Sequence, residues 1–328
     1  SILSISSRLF IDVVHTTIIP KSIKLKHPDY EIHYLTESHI VPLIKDNPYI
    51  DNVISFDVTK KRDKKYIFRL GLELYKNHYN IVFNLTYSLR NYMLSFLAFP
   101  QHIISRKRTK GLWVEDYFHT AKKIIKDIDI ADSLTLGVNE EADSKIKSFL
   151  EQYPHPYTII IPGGGTNNNR QGRIWNIDKW KELNEKILSE YGGTIIICGS
   201  KSERKTHEKL SGNNIVLKSG DYTLVESSAL LSHADLVISG DTGPLHIASA
   251  HNVNTLAILG STSPDKIKPY GEKGHYISAP DGCRFCWKKK CKHLIQNQVY
   301  APCMERITPQ MVMEKIRDYN LLPGDDAN

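Results

Sequence analysis

The residues best suited to chemistry stand together in Gly240-Asp241-Thr242-Gly243-Pro244-Leu245-His246. A glycine-flanked turn between an apolar strand and a helix leaves backbone N–H groups unpaired, and the positive end of the helix dipole points into the same space. Such a turn cradles an anion, a phosphate above all. Gly243 lets the backbone approach closely, Pro244 suits a first helical turn, and Thr242 can add a hydroxyl. The same residues also read as an ordinary helix start capped by Asp241 or Thr242, with His246 a packed core histidine. A second glycine run, Pro162-Gly163-Gly164-Gly165-Thr166, ends another apolar segment and continues into Asn167-Asn168-Asn169-Arg170.

Cys283, Cys286, Cys291 and Cys303 form C-x2-C-x4-C-x11-C, a density of thiols that suits a structural zinc or iron knot in a reducing compartment, with a loop of free thiols as the alternative. Cys198 lies alone in an apolar run and reads as core. The formal charge is +7, which favours an anionic partner, but the excess is spread over both halves of the chain. That dispersion argues against a nucleic-acid-binding arm. Local basic runs occur at Lys60–Lys65, Arg106–Lys110 and Lys288–Lys290, and each also reads as a solvated face.

Positioning such groups takes a scaffold, and 328 residues with 41% hydrophobic content supply about two domains. Apolar runs at 2–6, 31–35, 52–56 and 81–83 alternate with helix-like spacing at 9–25, 38–45 and 64–77. After the proline-bearing segment near 151–156 the alternation restarts. Strands are expected at 157–161, 194–198, 214–217, 235–239 and 255–259, with helices at 178–191, 202–210, 222–231 and 245–251 between them. Two doubly wound α/β domains follow, 1–153 and 154–328, the second carrying the Cys-rich segment 283–303 and a terminal helix at 309–319. Ligands then bind outside the carboxyl ends of the strands, where loops 162–173, 199–203, 240–246 and 260–266 should meet. No run approaches the roughly 18 apolar residues of a membrane-spanning helix, and the first residues lack the sectors of a signal peptide, so a cytoplasmic chain is expected.

Residues 239–250, followed by Ile258-Leu259-Gly260-Ser261-Thr262-Ser263-Pro264, resemble the donor-site signature of the ADP-heptose:lipopolysaccharide heptosyltransferases. Asp12–Pro20 and Asn47–Asp51 resemble that family's acceptor-side elements, Arg173-Ile174-Trp175 its basic residue two before a tryptophan, and Gly199–Glu203 its glycine loop with a carboxylate. The resemblance implies a GT-B fold, with an N-terminal acceptor domain and a C-terminal nucleotide-sugar domain facing across a cleft. It implies Asp12 as the base for the acceptor hydroxyl, an N-cap being the alternative, and Arg173 as the diphosphate contact. Thr166, Glu203, Asp241, Thr242, Gly243 and His246 would serve the donor, Glu203 through the ribose hydroxyls. Ile11 stands where the family usually has glycine, which asks for a loop open to a β-branched residue.

The expected activity is inverting transfer of heptose from an ADP-sugar to the inner core of lipopolysaccharide, without a catalytic metal and by direct displacement at the anomeric carbon. A glycosyltransferase with another sugar or acceptor is the alternative. The resemblance implies an anionic core acceptor, no nucleic acid, and work at the cytoplasmic face of the inner membrane, where peripheral association is open. The basic runs at 60–65 and 106–110 fall in the acceptor half.

Overall fold

The computed structural model describes residues 1–6, 10–163, 172–288, 290–294 and 299–323. The chain divides into two compact units, Ser1–Val138 and Asn139–Asn328. The first unit contains β1 (Ile2–Ile5), α1 (Phe10–Thr16), α2 (Ile18–Lys26), β2 (Ile32–Glu37), α3 (Val41–Ile44) and β3 (Asn52–Phe56). It continues with α4 (Lys64–Lys76), β4 (Ile81–Asn84), α5 (Leu89–Leu97), β5 (His102–Ser105) and α6 (Trp113–Lys122). Its sheet runs β3-β2-β1-β4-β5, all parallel, with Ile2 in register with both Ile32 and Ile81. Parallel neighbours require crossovers, which the helices provide. The central strand β1 is buried along its whole length, as a strand covered on both faces must be.

The second unit opens with α7 (Glu140–Leu150), β6 (Tyr157–Ile161), α8 (Ile177–Tyr191), β7 (Thr194–Ile197), α9 (Arg204–His207), β8 (Ile215–Leu217) and α10 (Leu224–Ser232). Then come β9 (Leu236–Ser239), α11 (Gly243–Ala250), β10 (Asn254–Leu259), α12 (Pro264–Ile267), β11 (Gly274–Ser278), α13 (Pro302–Glu305) and α14 (Pro309–Asp318). Its parallel sheet runs β11-β10-β9-β6-β7-β8. Trp180 on α8 is wholly buried and meets the Trp175 ring edge-on at 4.9 Å, while the Trp175 indole N–H donates to the Ile307 carbonyl at 2.9 Å. These contacts tie the segment after β6 and the C-terminal helices to one core.

Two differences from the expected organisation have clear causes. Residues 139–153 join the second unit, because α7 packs on α10 and Asp143 bonds His233 at 2.6 Å. The helix expected over 9–25 is two helices. Thr16 and Thr17 turn their hydroxyls onto the carbonyls of Val13 and Val14 at 2.8 and 2.7 Å, and Pro20 has no N–H to continue the ladder.

Candidate functional site

In each unit the strand order reverses once, between β1 and β4 and between β6 and β9. The crevice outside the carboxyl ends of such strands is where open α/β sheets take ligands. Each unit has a cavity there; of the sequence-predicted residues Asp12 lines the first, and Glu203 and Thr242 line the second.

The cavity of the first unit holds about 540 Å³, and Asp12 borders it together with Lys61, Arg62, Arg90, Arg106 and Arg108. Lys61 and Arg62 of the run at 60–65 and Arg106 and Arg108 of the run at 106–110 thus share a cavity with one carboxylate, while Lys65 lies outside it. Asp12 lies in the first turn of α1, and Ile11 before it is helical, so this position needs no glycine. The Tyr117 hydroxyl on α6 donates to Asp12 Oδ1 at 2.9 Å. Burial, with the Asp12 charge next, holds the Tyr117 hydroxyl well above its usual pKa, so it remains a donor. Arg106 donates from Nη1 to the same hydroxyl at 2.5 Å and lies across the Tyr117 ring, 3.8 Å from its centre. The basic loop is fastened to α6 by Asp116, whose buried carboxylate accepts from the Thr109 amide at 3.0 Å and the Thr109 hydroxyl at 2.6 Å, and faces Arg106 at 3.8 Å. Arg90 stacks on Phe56 at 4.1 Å. Arginines held flat on aromatic rings keep their charge and their orientation. Arg106 is nearly buried rather than a surface charge.

The cavity of the second unit holds about 280 Å³ and is mostly apolar, lined by Ile161 at the end of β6, Gly163 after it, Gly199 and Glu203 after β7, and Thr242 and Pro244 after β9. Gly163 takes φ +65° and Gly199 leaves no room for a Cβ, which would stand 2.6 Å from the His207 ring. Glu203 closes a capping box: its Oε2 accepts from the Ser200 amide at 2.7 Å and the Ser200 hydroxyl at 2.6 Å. Thr242 holds the N-cap position of α11 but does not cap it. Its hydroxyl pairs with Ser239 at 2.8 Å, and the first N–H groups of α11 have no side-chain cap. The helix start therefore keeps the open donors that an anion needs.

Behind that turn, Arg173 Nη1 meets Asp241 Oδ2 at 2.9 Å, the Asp241 side chain being wholly buried and Arg173 about a fifth exposed (22%). The guanidinium also lies 5.9 Å from the Trp287 ring centre. Trp287 arrives there because the cysteine-bearing segment docks on the loop after β10, Phe285 N–H to Gly260 O at 2.9 Å and Trp287 N–H to Ser261 O at 2.8 Å. Ser261 N–H in turn donates to Gly172 O at 2.8 Å. The loops after β6, β7 and β9 thus share one cavity, and the loop after β10 joins the β6 loop through Ser261 and Gly172. His246 is wholly buried one turn into α11, and its pKa is pushed down to about 4 by that burial, so it presents no surface to a ligand here. Thr166 lies outside the described residues.

The expected metal knot differs. Cys283, Cys286, Cys291 and Cys303 form no disulfide, and among the described residues no group of three or more His, Cys, Asp or Glu is arranged to hold a metal ion. The four are spread in depth: Cys303 is packed under Gly260 at the start of α13, whereas Cys286 is exposed. Burial, then the neighbouring thiols, push Cys303 up to about 11. Cys198 borders the second cavity, and burial pushes its thiol to about 12, too high for a thiolate nucleophile. Sequence reasoning missed Tyr117, Arg90 and the placement of Trp287, none of which carries a local motif.

The sequence signature of "Glycosyltransferase family 9 (heptosyltransferase)" matches residues 94–295. Among curated proteins, lipopolysaccharide heptosyltransferase 3 of Escherichia coli (strain K12) is 23% identical over 335 residues, covering 91% of this chain and 95% of that protein. Among solved structures, the ADP-heptose lps heptosyltransferase II of E. coli superposes with a TM-score of 0.76 at 19% identity, over 98% of each chain. A glycosyl transferase family 9 protein from Veillonella parvula reaches 0.79 at 15% identity, over 98% of this chain and 97% of that one.

Proposed function

Because the chain belongs to glycosyltransferase family 9, the heptosyltransferases, and has the GT-B fold, we propose that it transfers a heptose from ADP-L-glycero-D-manno-heptose to an anionic saccharide of the lipopolysaccharide inner core, with inversion at the anomeric carbon. The observation that carries this reading is Asp12 in a cavity bordered by five cationic side chains and oriented by Tyr117. Cations in that number suit a phosphorylated or carboxylated acceptor, and a fixed carboxylate among them suits proton abstraction.

In the proposed reaction the acceptor hydroxyl gives its proton to Asp12 while its oxygen attacks the anomeric carbon. The bond from that carbon to the diphosphate oxygen breaks, and ADP leaves with the electron pair. The second unit holds the donor: the apolar cavity takes the adenine, Glu203 the ribose hydroxyls, and Thr242, Gly243 and the open amides of α11 the phosphates. Arg173, aligned by the buried Asp241, meets the charge that develops on the diphosphate, so this scheme asks for no catalytic metal. Asp241 acts by holding Arg173, and His246 by packing beneath α11. The working place that fits these substrates is the cytoplasmic face of the inner membrane. Among the described residues no helix is long and apolar enough to cross a membrane.

The test is transfer from ADP-heptose beside UDP-, GDP- and other ADP-sugars onto truncated core lipopolysaccharide, with EDTA present and Asp12→Asn in parallel. Product from ADP-heptose, with a loss of about a hundredfold or more in kcat for Asp12→Asn and unchanged ADP binding, is expected. Transfer from another nucleotide sugar would retain the glycosyltransferase and remove the named donor. Full activity in Asp12→Asn would remove the base.

A further inference from the structure

Helices α4 and α5 pack side by side, with Gly71 of α4 against Leu97 of α5. Their buried sides belong to the core of the first unit: Ile67, Leu70 and Leu74 from α4, Leu94 from α5. Their outer sides should then be polar, as on an ordinary surface helix. Each instead carries an exposed apolar stripe, on α4 beside its charged residues. Phe68, Leu72 and Tyr75, spaced i, i+4, i+7 along α4, are 59%, 46% and 48% exposed, and Leu89, Met93 and Phe96, in the same spacing along α5, are 86%, 43% and 66% exposed. Phe99, just beyond α5, is 80% exposed and meets the Tyr75 ring edge-on at 6.3 Å, joining the two stripes. Single exposed apolar residues are normal, but a contiguous set on two adjacent helices marks an interaction surface.

Charge indicates what covers it. Residues 60–76 carry seven Lys and Arg against Asp63 and Glu73. At 100° per residue, Lys65, Arg69 and Lys76 line one flank of the Phe68–Leu72–Tyr75 stripe. An apolar helical face with a basic flank suits the headgroup region of an anionic bilayer, where rings and leucines enter the acyl boundary and lysines and arginines meet phosphates. A second copy of the same basic face would bring like charges together.

The face is also continuous with the cavity around Asp12. Lys61 and Arg62, which border that cavity, directly precede α4, and Tyr87, Ser88 and Arg90 border it at the start of α5. We propose that the outer face of α4 and α5 docks the protein on anionic lipid, so that a lipid-borne acceptor places its charged headgroup in the cavity while its chains stay in the bilayer. The docking stands on this surface alone. Its link to catalysis rests on the function proposed above.

The experiment is flotation of the full chain with vesicles of phosphatidylethanolamine containing phosphatidylglycerol as a quarter of the lipid, and with vesicles of phosphatidylcholine alone. Two variants accompany the wild type: Phe68→Ser/Phe96→Ser/Phe99→Ser, and Lys65→Gln/Arg69→Gln/Lys76→Gln. All six positions are exposed, and circular dichroism and thermal melting check that each variant folds. Wild type is expected to float with the anionic vesicles, and each variant to partition at least roughly tenfold less. Transfer to a water-soluble acceptor should be unchanged in both variants, and transfer to a vesicle-borne acceptor should fall. Equal flotation of wild type and the Phe variant overturns the proposal. So does light scattering that shows a wild-type oligomer converted to monomer by the same substitutions, since the face would then be a self-interface. Salt-insensitive binding, equal on both vesicle types, overturns the anionic part. Flotation as expected with no transfer from any ADP-sugar leaves the docking in place and removes the heptosyl reading.

Discussion

In the proposed reaction Asp12 takes a proton from a sugar hydroxyl and has to be held at a fixed angle, and the Tyr117 hydroxyl donates to it. The tyrosine is itself fixed from its other side by Arg106, which donates to the same hydroxyl. Tyr117→Phe keeps the ring and its contact with the Arg106 guanidinium but removes the donor. The expected result is a fall of roughly tenfold in kcat with the KM for the nucleotide sugar unchanged, because the donor cavity lies in the other unit. Steady-state kinetics with each substrate varied in turn would read it, and an unchanged kcat would show that Asp12 is oriented by something else. Asp12 and Arg173 are candidates from the sequence because each sits in a run that resembles the family's. Tyr117 is not. It stands 105 residues from its partner, and no spacing rule connects the start of α1 to the middle of α6. The same holds for Trp287, which reaches Arg173 only because two backbone hydrogen bonds lay the cysteine-bearing segment along the loop after β10.

At the scale of elements, the turn after β7 shows how little room the donor cavity leaves. Gly199 is followed by the Ser200–Glu203 capping box, and a Cβ on Gly199 would stand 2.6 Å from the His207 ring and 3.1 Å from Glu203 Oε2. Gly199→Ala must push one of them aside. Overpacking of this kind costs roughly 1–3 kcal/mol, and one of the two neighbours, Glu203, is the proposed ribose contact. An increase of about tenfold in the Kd for ADP, read by titration against the folded variant, is expected, with acceptor KM unmoved. Wild-type affinity for ADP would place the ribose elsewhere. The parallel strands were legible because buried strands read as continuous Val- and Ile-rich runs, and β3, β6 and β9 fall within a residue of their expected limits. Spacing alone names no element between Phe83 and Glu151, where α5, β5, α6 and α7 stand. For α5 the reason is physical: Leu89, Met93 and Phe96 are apolar on the side that faces solvent, so the contrast on which helical periodicity depends is erased. The feature that hides this helix from the sequence is the one that makes its surface unusual.

For the molecule as a whole, the group with the plainest effect on stability against pH is His246. It is wholly buried in the second unit, and burial alone pushes its pKa from 6.5 down to about 4. In the unfolded chain the imidazole takes up a proton as the pH falls through about 6.5, while in the folded protein it resists until about 4. Over that interval the unfolded state binds more protons, so stability rises with pH. The contribution is complete above about pH 6.5 and is lost progressively toward pH 4, amounting to about 3 kcal/mol at 1.36 kcal/mol per pKa unit. Other groups act in neighbouring ranges. His207, His251 and His275 are also lowered, chiefly by burial, and add to the same slope. Glu226, lowered to about 2 first by its bond from Lys145, loses its contribution only below the ordinary carboxylate range. The share of His246 is isolated by comparing slopes. Urea unfolding of wild type and His246→Gln between pH 4 and 7, followed through the transition of the second unit, should give a shallower dependence in the variant whatever its absolute stability. Parallel slopes would mean that the imidazole is protonated in the folded protein, and the burial that seats α11 behind the turn after β9 would then require a counter-charge.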